Sequence, residues 1–233
     1  MMNDPLSGSY RTYEYFCNLG FTAGITVKGP WEDPPQMYRY IEKNLIPSGM
    51  TLVAPDQVHG VDIIHIAEKT NEFTFEADGV ITDRTDICLS VTTADCLPVI
   101  FADPSSGYFA AVHVGWRSFV GGIIENIFEC MSRFKMNLRT TRFIIGPGIG
   151  ECCFEVGPEV AALFDESFIR NHDGAFRVNL REAVGNKLET LGVVKANIDI
   201  LHECTSCRSD LYYSYRRDKS TLLQMITFIF RST

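Results

Sequence analysis

Histidine is scarce in this 233-residue chain: there are five, and none forms an HxH pair. That supply excludes a multi-copper oxidase centre within one chain, because each copper there draws on several imidazoles. Basic residues are also outnumbered, 21 Lys and Arg against 29 Asp and Glu, for a formal charge of -8. Such a balance offers no general nucleic-acid surface and leaves anion binding to a few locally placed cations. No run reaches about 18 uncharged apolar residues, so no membrane span is predicted. The opening MMNDPLSGSYRTYEYF lacks the basic-then-apolar pattern of a secretory signal. Eight cysteines are too sparse for a disulfide scaffold at this length, and Cys152 beside Cys153 is an awkward spacing for an ordinary disulfide. Reduced thiols and a cytoplasmic protein are the expectation.

No repeat or low-complexity linker divides the chain, which predicts one domain over residues 1–233. Hydrophobic residues make up 45%, enough for a sizeable core. TLVAPDQVHGVDIIHIA reads as two strand-like segments around a turn that carries His59. DICLSVTTADCLPVIFA holds two β-rich runs separated by TTADC, although Pro98 argues against a regular central ladder there. YFAAVHV is a further strand with His113 near its end. Val120, Ile124, Ile127, Met131 and Phe134 recur at helical spacing, and GPEVAALFDESFI starts a second helix with Pro158 in its first turn. Leu180, Val184, Leu188 and Leu191 mark a third, while VKANIDI, LYYSY and LLQMITFIF are strand-like. Strands and helices intermingle, so the periodicity predicts one mixed α/β domain with more than one sheet layer and helices outside.

Polar residues interrupt the apolar runs at a few places. His59, Cys96 and His113 offer two imidazoles and a thiolate, three of the four positions around a zinc ion. Their separations of 37 and 17 residues match no compact structural zinc pattern, so the alternative is a buried cysteine with two hydrogen-bonded histidines. Asp95 is costly to bury without a partner; it either orients an imidazole, binds a substrate hydroxyl or locks its loop. Arg117 is a candidate phosphate fork, or an ion-pair partner for Asp95 or Asp78. Arg216 and Arg217, read as part of a strand, point to opposite faces, so at most one enters the same pocket. GPGIG at 146–150 is not a dinucleotide signature and reads as a stiff turn. Cys204 and Cys207 form CTSC, but without a second CxxC pair the signal for metal or redox chemistry is weak. Whether His202, Cys204, Cys152 and Cys153 belong to a site or to packing stays open on spacing alone.

The motifs DQVHG at 56–60, ADGVITD at 77–83, TTADCLPV at 92–99, HVGWRS at 113–118, GPGIGECCFEVG at 146–157, ECT at 203–205 and YSYRRD at 213–218 occur together in this order. In that combination the chain resembles the YfiH-like, or laccase-domain, family. The resemblance implies an α+β fold, a single four-layer α-β-β-α sandwich with mixed sheets, preceded by an N-terminal extension over residues 1–19. It implies a site lined by His59, Cys96 and His113 as zinc ligands, with copper as a second candidate metal. It further implies phosphorolysis of adenosine, inosine, guanosine or methylthioadenosine, with adenosine deamination alongside, so that the partners are a purine nucleoside and phosphate. Asp95 joins the ligands as a catalytic candidate, and Arg117, Arg216, Arg217 and Lys28 are the candidates for phosphate. Lys28 stands in GFTAGITVKG, where the family has an arginine after two threonines. Competing readings are a cysteine–histidine hydrolase or deamidase using Cys96 and His113, a single-copper polyphenol oxidoreductase, and a non-enzymatic metal-binding module.

Overall fold

Side chains of the run Leu97–Ala102 alternate between two cores. In the computed structural model, which describes residues 9–69, 75–172, 174–220 and 222–232, Leu97, Val99 and Phe101 enter one apolar cluster while Ile100 and Ala102 enter another. The neighbouring strand behaves alike: Ala110, Val112 and Val114 face the first cluster, Phe109 and Ala111 the second. A period of two with both faces apolar is what a sheet buried on each side requires.

That sheet has six strands, in the order β13 (Ile198–Ile200), β9 (Arg142–Ile145), β7 (Leu97–Ala102), β8 (Phe109–Val114), β5 (Gly79–Thr82) and β4 (Ile63–His65). A five-stranded sheet packs against one face, ordered β1 (Tyr10–Thr12), β2 (Phe21–Thr26), β14 (Met225–Arg231), β6 (Ile87–Thr93) and β3 (Thr51–Val53). Both sheets mix parallel and antiparallel pairs. Helix α1 (Pro34–Asn44) covers the five-stranded sheet through Met37, Tyr40 and Ile41, its first turn capped by the Asp33 side chain on the Gln36 N–H at 2.7 Å. On the far side, α3 (Ile123–Arg133) and α5 (Leu180–Thr190) bury Ile124, Ile127, Met131, Ala183, Val184 and Leu188 against the six-stranded sheet. The four layers are therefore helix, sheet, sheet, helix, as the resemblance implied. A small third sheet, β10 (Glu155–Val156), β12 (Ala175–Val178) and β11 (Ile169–His172), lies in the order just given.

Several local expectations are corrected. The apolar stripe from Val120 to Phe134 is two helices, α2 (Trp116–Gly121) and α3, because Gly122 takes a left-handed φ of 99° between them. GPEVAALFDESFI forms only α4 (Pro158–Ala161), since Asp165 caps the Ser167 N–H at 2.9 Å and starts a separate 3₁₀ turn. LYYSY is not a strand; it leads into α6 (Tyr215–Asp218), capped by Ser214. Pro98 does sit in a central strand. Opposite it, His113 donates its N–H to Asp78 instead, and pairing of β7 with β9 stops at Ile145, so the ladder tolerates the missing donor. Nor are residues 10–19 an appendage: β1 pairs with β2, and Tyr13 and Phe16 are buried in the core. Residues 1–8 lie outside the described residues.

The turn after β7 is held by a buried carboxylate. Asp103 accepts from the Ser105 hydroxyl at 2.7 Å, the Thr140 hydroxyl at 2.6 Å and the Asn137 N–H at 3.0 Å. Burial pushes its pKa up, but the bonds from Thr140, Asn137 and Ser105 outweigh this and hold it at about 2. A depressed carboxylate stabilises the fold above its unfolded pKa, near 4, and that contribution is lost as pH falls towards 2. Asp103→Asn is expected to destabilise the protein by about 1–3 kcal/mol at neutral pH. The difference from wild type should shrink between about pH 4 and 2, as followed by urea denaturation across that range. A constant difference over that range would refute the assignment.

Candidate metal centre and cleft

Three separate loops and strand ends bring His59, Cys96 and His113 together. His113 is the penultimate residue of β8, Cys96 lies in the turn between β6 and β7, and His59 lies in the loop between β3 and β4. One ligand atom from each falls within 4.8 Å of the others. The two imidazoles meet edge-on, with ring centroids 4.8 Å apart at 68°. His59 has φ 58° and Asp95 has φ 90°, conformations that non-glycine residues rarely adopt. Such strain concentrates at sites where surrounding contacts fix the backbone. Gly115 completes the cradle: a Cβ there would stand 3.1 Å from both Cys96 Sγ and His59 Nδ1. Glycine keeps the space beside the donors clear.

Asp78, weighed in the sequence only as an ion-pair partner for Arg117, organises this trio. Its carboxylate is fully buried and lies 2.7 Å from His113 Nδ1. It also accepts the backbone N–H groups of Val58 at 3.2 Å, His59 at 3.0 Å and Gly60 at 2.5 Å. One side chain therefore fixes the ring of His113 and the loop of His59. With Nδ1 engaged by Asp78, His113 presents Nε2 to the site. The available signal was an aspartate before glycine at the start of a buried strand, within the ADGVITD motif; only the fold reveals its partners.

Electrostatics favour the thiolate form of Cys96. Burial alone would push the Cys96 thiol up, but hydrogen bonds with His113 and His59 bring it down to about 7. Burial would lower His113, yet Asp78 and then Cys96 raise it to about 9. The thiolate is the form that binds a soft or borderline metal, so this environment favours the required protonation state of Cys96. Two imidazoles, one thiolate and the cradle at Gly115 fit a single zinc or copper ion. Zinc would take these three donors and leave one position for another ligand.

The trio opens into a cleft of about 750 Å³, walled by Tyr38, Gln57, Thr92, Trp116, Phe154, Tyr215 and others. Among the cationic candidates, Arg117 and Arg216 line it, whereas Arg217 and Lys28 do not. Arg117 stacks on Trp116, 4.3 Å from the ring centre. Arg216 rests over Phe154 and donates to the carbonyls of Cys153 at 3.0 Å and Glu155 at 2.9 Å. Arg217 is spent on Asp218 and the carbonyls of Thr205, Ser206 and Tyr212. Lys28 reaches the Ser209 carbonyl at 3.3 Å. The two adjacent arginines sit on a helical turn, not on the strand expected from the sequence. Asp95 lies at the cleft edge with both oxygens engaged, accepting from the Thr205 hydroxyl at 2.6 Å and the Arg216 N–H at 2.6 Å. It locks the Cys96 turn to the C-terminal segment that carries Arg216.

The family model described as multi-copper polyphenol oxidoreductase laccase matches residues 35–232. The chain belongs to this family. Among its relatives, the protein named purine nucleoside phosphorylase YlmD of Geobacillus stearothermophilus is 32% identical over 196 residues, spanning 77% of this chain and 72% of the relative. A protein named adenosine deaminase, from an unknown prokaryotic organism, is 31% identical over 182 residues, 71% of this chain and 70% of its own. The crystal structure of Bacillus licheniformis YfiH aligns with a TM-score of 0.86 at 26% identity, over 98% of this chain and 97% of that one. The laccase-domain name does not carry a multi-copper centre with it here. This chain has five histidines in all, and among the described residues two of them, His59 and His113, converge with Cys96.

Proposed function

We propose that this chain is a zinc-dependent purine nucleoside phosphorylase, acting on adenosine, inosine, guanosine or methylthioadenosine, with adenosine deamination as a second reaction of the same site. The observation that carries this reading is the junction of a His59–Cys96–His113 donor set with a cleft that combines aromatic walls and two guanidinium groups. Relatives named for both reactions support it. When bound, zinc supplies a Lewis acid that polarises a phosphate or water oxygen.

The chain's own residues account for binding and orientation. Trp116, Phe154, Tyr38 and Tyr215 offer apolar faces for a flat purine. Arg117 and Arg216 supply the local positive charge that an acidic protein otherwise lacks, so phosphate is held beside the sugar without a basic surface. In phosphorolysis a phosphate oxygen attacks the anomeric carbon while the bond to the base breaks; holding both reactants in one cleft supplies much of the rate enhancement. Asp95 positions: by tying the Cys96 turn to Arg216, it couples the donor set to the anion pocket.

Chromatography of adenosine incubations with and without phosphate tests the proposal. Phosphate-dependent release of adenine and a ribose phosphate is expected, with inosine forming independently of phosphate. Neither product from zinc-loaded protein, across purine nucleosides, would reject the reading. Arg117→Ala is expected to raise the phosphate KM roughly tenfold or more, the loss of one charge-assisted contact, while barely changing inosine formation. Equal losses in both reactions would assign Arg117 to support of the fold instead. The hydrolase alternative, built on the same Cys96–His113 pair, predicts the opposite metal response: zinc loading would occupy the thiolate and inhibit.

A further inference from the structure

We propose that Cys152, Cys153, Cys204 and Cys207 form a second, structural metal centre that binds one zinc ion through four thiolates. The four sulfurs all lie within 4.8 Å of one another. Cys153 and Cys207 are 3.4 Å apart and Cys152 and Cys207 are 3.6 Å apart. A tetrahedral zinc with Zn–S bonds of about 2.3 Å sets its sulfurs about 3.8 Å from each other, so the cluster already has the required size. All four cysteines are free thiols.

Ordinary packing does not explain the arrangement. Cys152 and Cys207 are exposed, Cys153 is intermediate and only Cys204 is buried, so the thiols do not gather to fill a core. Their surroundings instead suit a site that carries net negative charge. The Gly150 N–H points at Cys204 Sγ at 3.2 Å, the backbone donor that a metal-bound thiolate accepts. Arg181 is 5% exposed and lies within electrostatic reach of Cys204 and Cys152. One of its terminal nitrogens is held by the carbonyls of Gly148 and Glu203, while its Nε is buried with no partner among the described residues. Four thiolates and Zn²⁺ sum to about -2, which a buried guanidinium offsets. Four protein ligands leave no open position, which makes this centre structural, unlike the three-donor site across the cleft wall. His202 is exposed and not part of the cluster.

The position of the cluster gives the metal a task. Cys152 and Cys153 end the GPGIGECC loop, which supplies Ile149 to the cleft and is followed directly by Phe154, another of its walls. Cys204 and Cys207 open the segment that supplies Thr205 to Asp95 and leads to Arg216. Besides the thiols, these loops are joined by the backbone bridge of Gly148 to Cys204, with the Thr205 N–H on the Gly148 carbonyl at 3.0 Å, by Arg181 between the Gly148 and Glu203 carbonyls, and by Arg216 on the Cys153 carbonyl. A four-thiolate zinc fastens two walls of the cleft to each other.

Elemental analysis of protein purified under reducing conditions tests this. Wild type is expected to hold two zinc ions per chain, Cys96→Ala one, and the double variant Cys204→Ser/Cys207→Ser one. Cobalt exchange into Cys96→Ala provides a readout on chain with all four thiols intact: strong sulfur-to-cobalt charge transfer and visible bands of a tetrahedral four-thiolate ion are expected. The same exchange into wild type reads the site without any substitution, should either variant fail to fold. A single zinc in wild type, no metal in a folded Cys96→Ala, a cobalt spectrum without four-thiolate character, or disulfides among these cysteines would overturn the proposal. So would a bound iron in place of the second zinc.

Discussion

Cys96→Ala is expected to abolish nucleoside cleavage and to remove the metal from the cleft, while leaving the melting temperature close to that of wild type. Cys96 lies in a turn, and its side chain is only partly buried, so truncation opens no large cavity. What it removes is the sole thiolate among the three donors at the cleft floor. A Lewis acid of this kind contributes several kcal/mol to the barrier, so its loss predicts a rate reduction on the order of 10³ or more. The checks are turnover of adenosine with phosphate, zinc per chain and a thermal melt on the same sample. Retained activity with the zinc gone would break the link between this centre and catalysis. Loss of both together with collapse of the melt would make Cys96 a folding residue.

The second large effect is expected at a residue that touches neither cleft solvent nor, by its position, substrate. Asp78→Asn replaces a carboxylate whose two oxygens face only donors: Nδ1 of His113 and the N–H groups of Val58, His59 and Gly60. An amide in that place turns one oxygen into a donor aimed at other donors. About 2–3 kcal/mol of stability should be lost, from hydrogen bonds to a charged group. Metal affinity should fall about 10–100-fold, the usual cost of removing the partner that orients a ligating histidine. Asp78 acts through His59 and His113, so its signature is a kcat deficit that excess zinc partly restores, with the phosphate KM little changed. A variant that binds zinc as tightly as wild type would show that the carboxylate serves the fold alone.

Much of the site was legible because donor chemistry and strand-end placement are local properties. His59, Cys96 and His113 were named from residue type, loop position and motif, and the fold brings their ligand atoms together. The intermingled strands and helices gave more than one sheet layer and the family resemblance gave four; the structure adds that Leu97–Ala102, with both faces apolar, lies between two cores. Other features depend on partners distant in sequence. Asp78 looked like any buried-strand aspartate until β8 placed His113 beside it, 35 residues on. The four thiols were unreadable as a group because an adjacent pair and a CxxC pair match no single spacing rule, and about 50 residues separate them. Arg216 and Arg217 were read on a strand with at most one entering the pocket; they sit instead on a single helical turn capped by Ser214, with Arg216 lining the cleft and Arg217 bonded to Asp218.

By itself, the sequence determined which residues offer metal-binding or anion-binding groups and which faces must be buried, because side-chain type and periodicity are properties of short segments. It also set the acidic balance that confines any anion pocket to a few arginines. Only the tertiary structure decided which of those arginines face the cleft and that Asp78 holds both His59 and His113. It also assigned Asp95 to holding a turn and put four separated cysteines within reach of one another. Those outcomes depend on how loops from different strands meet at the ends of two packed sheets, a geometry set by long-range pairing and packing that no local pattern encodes.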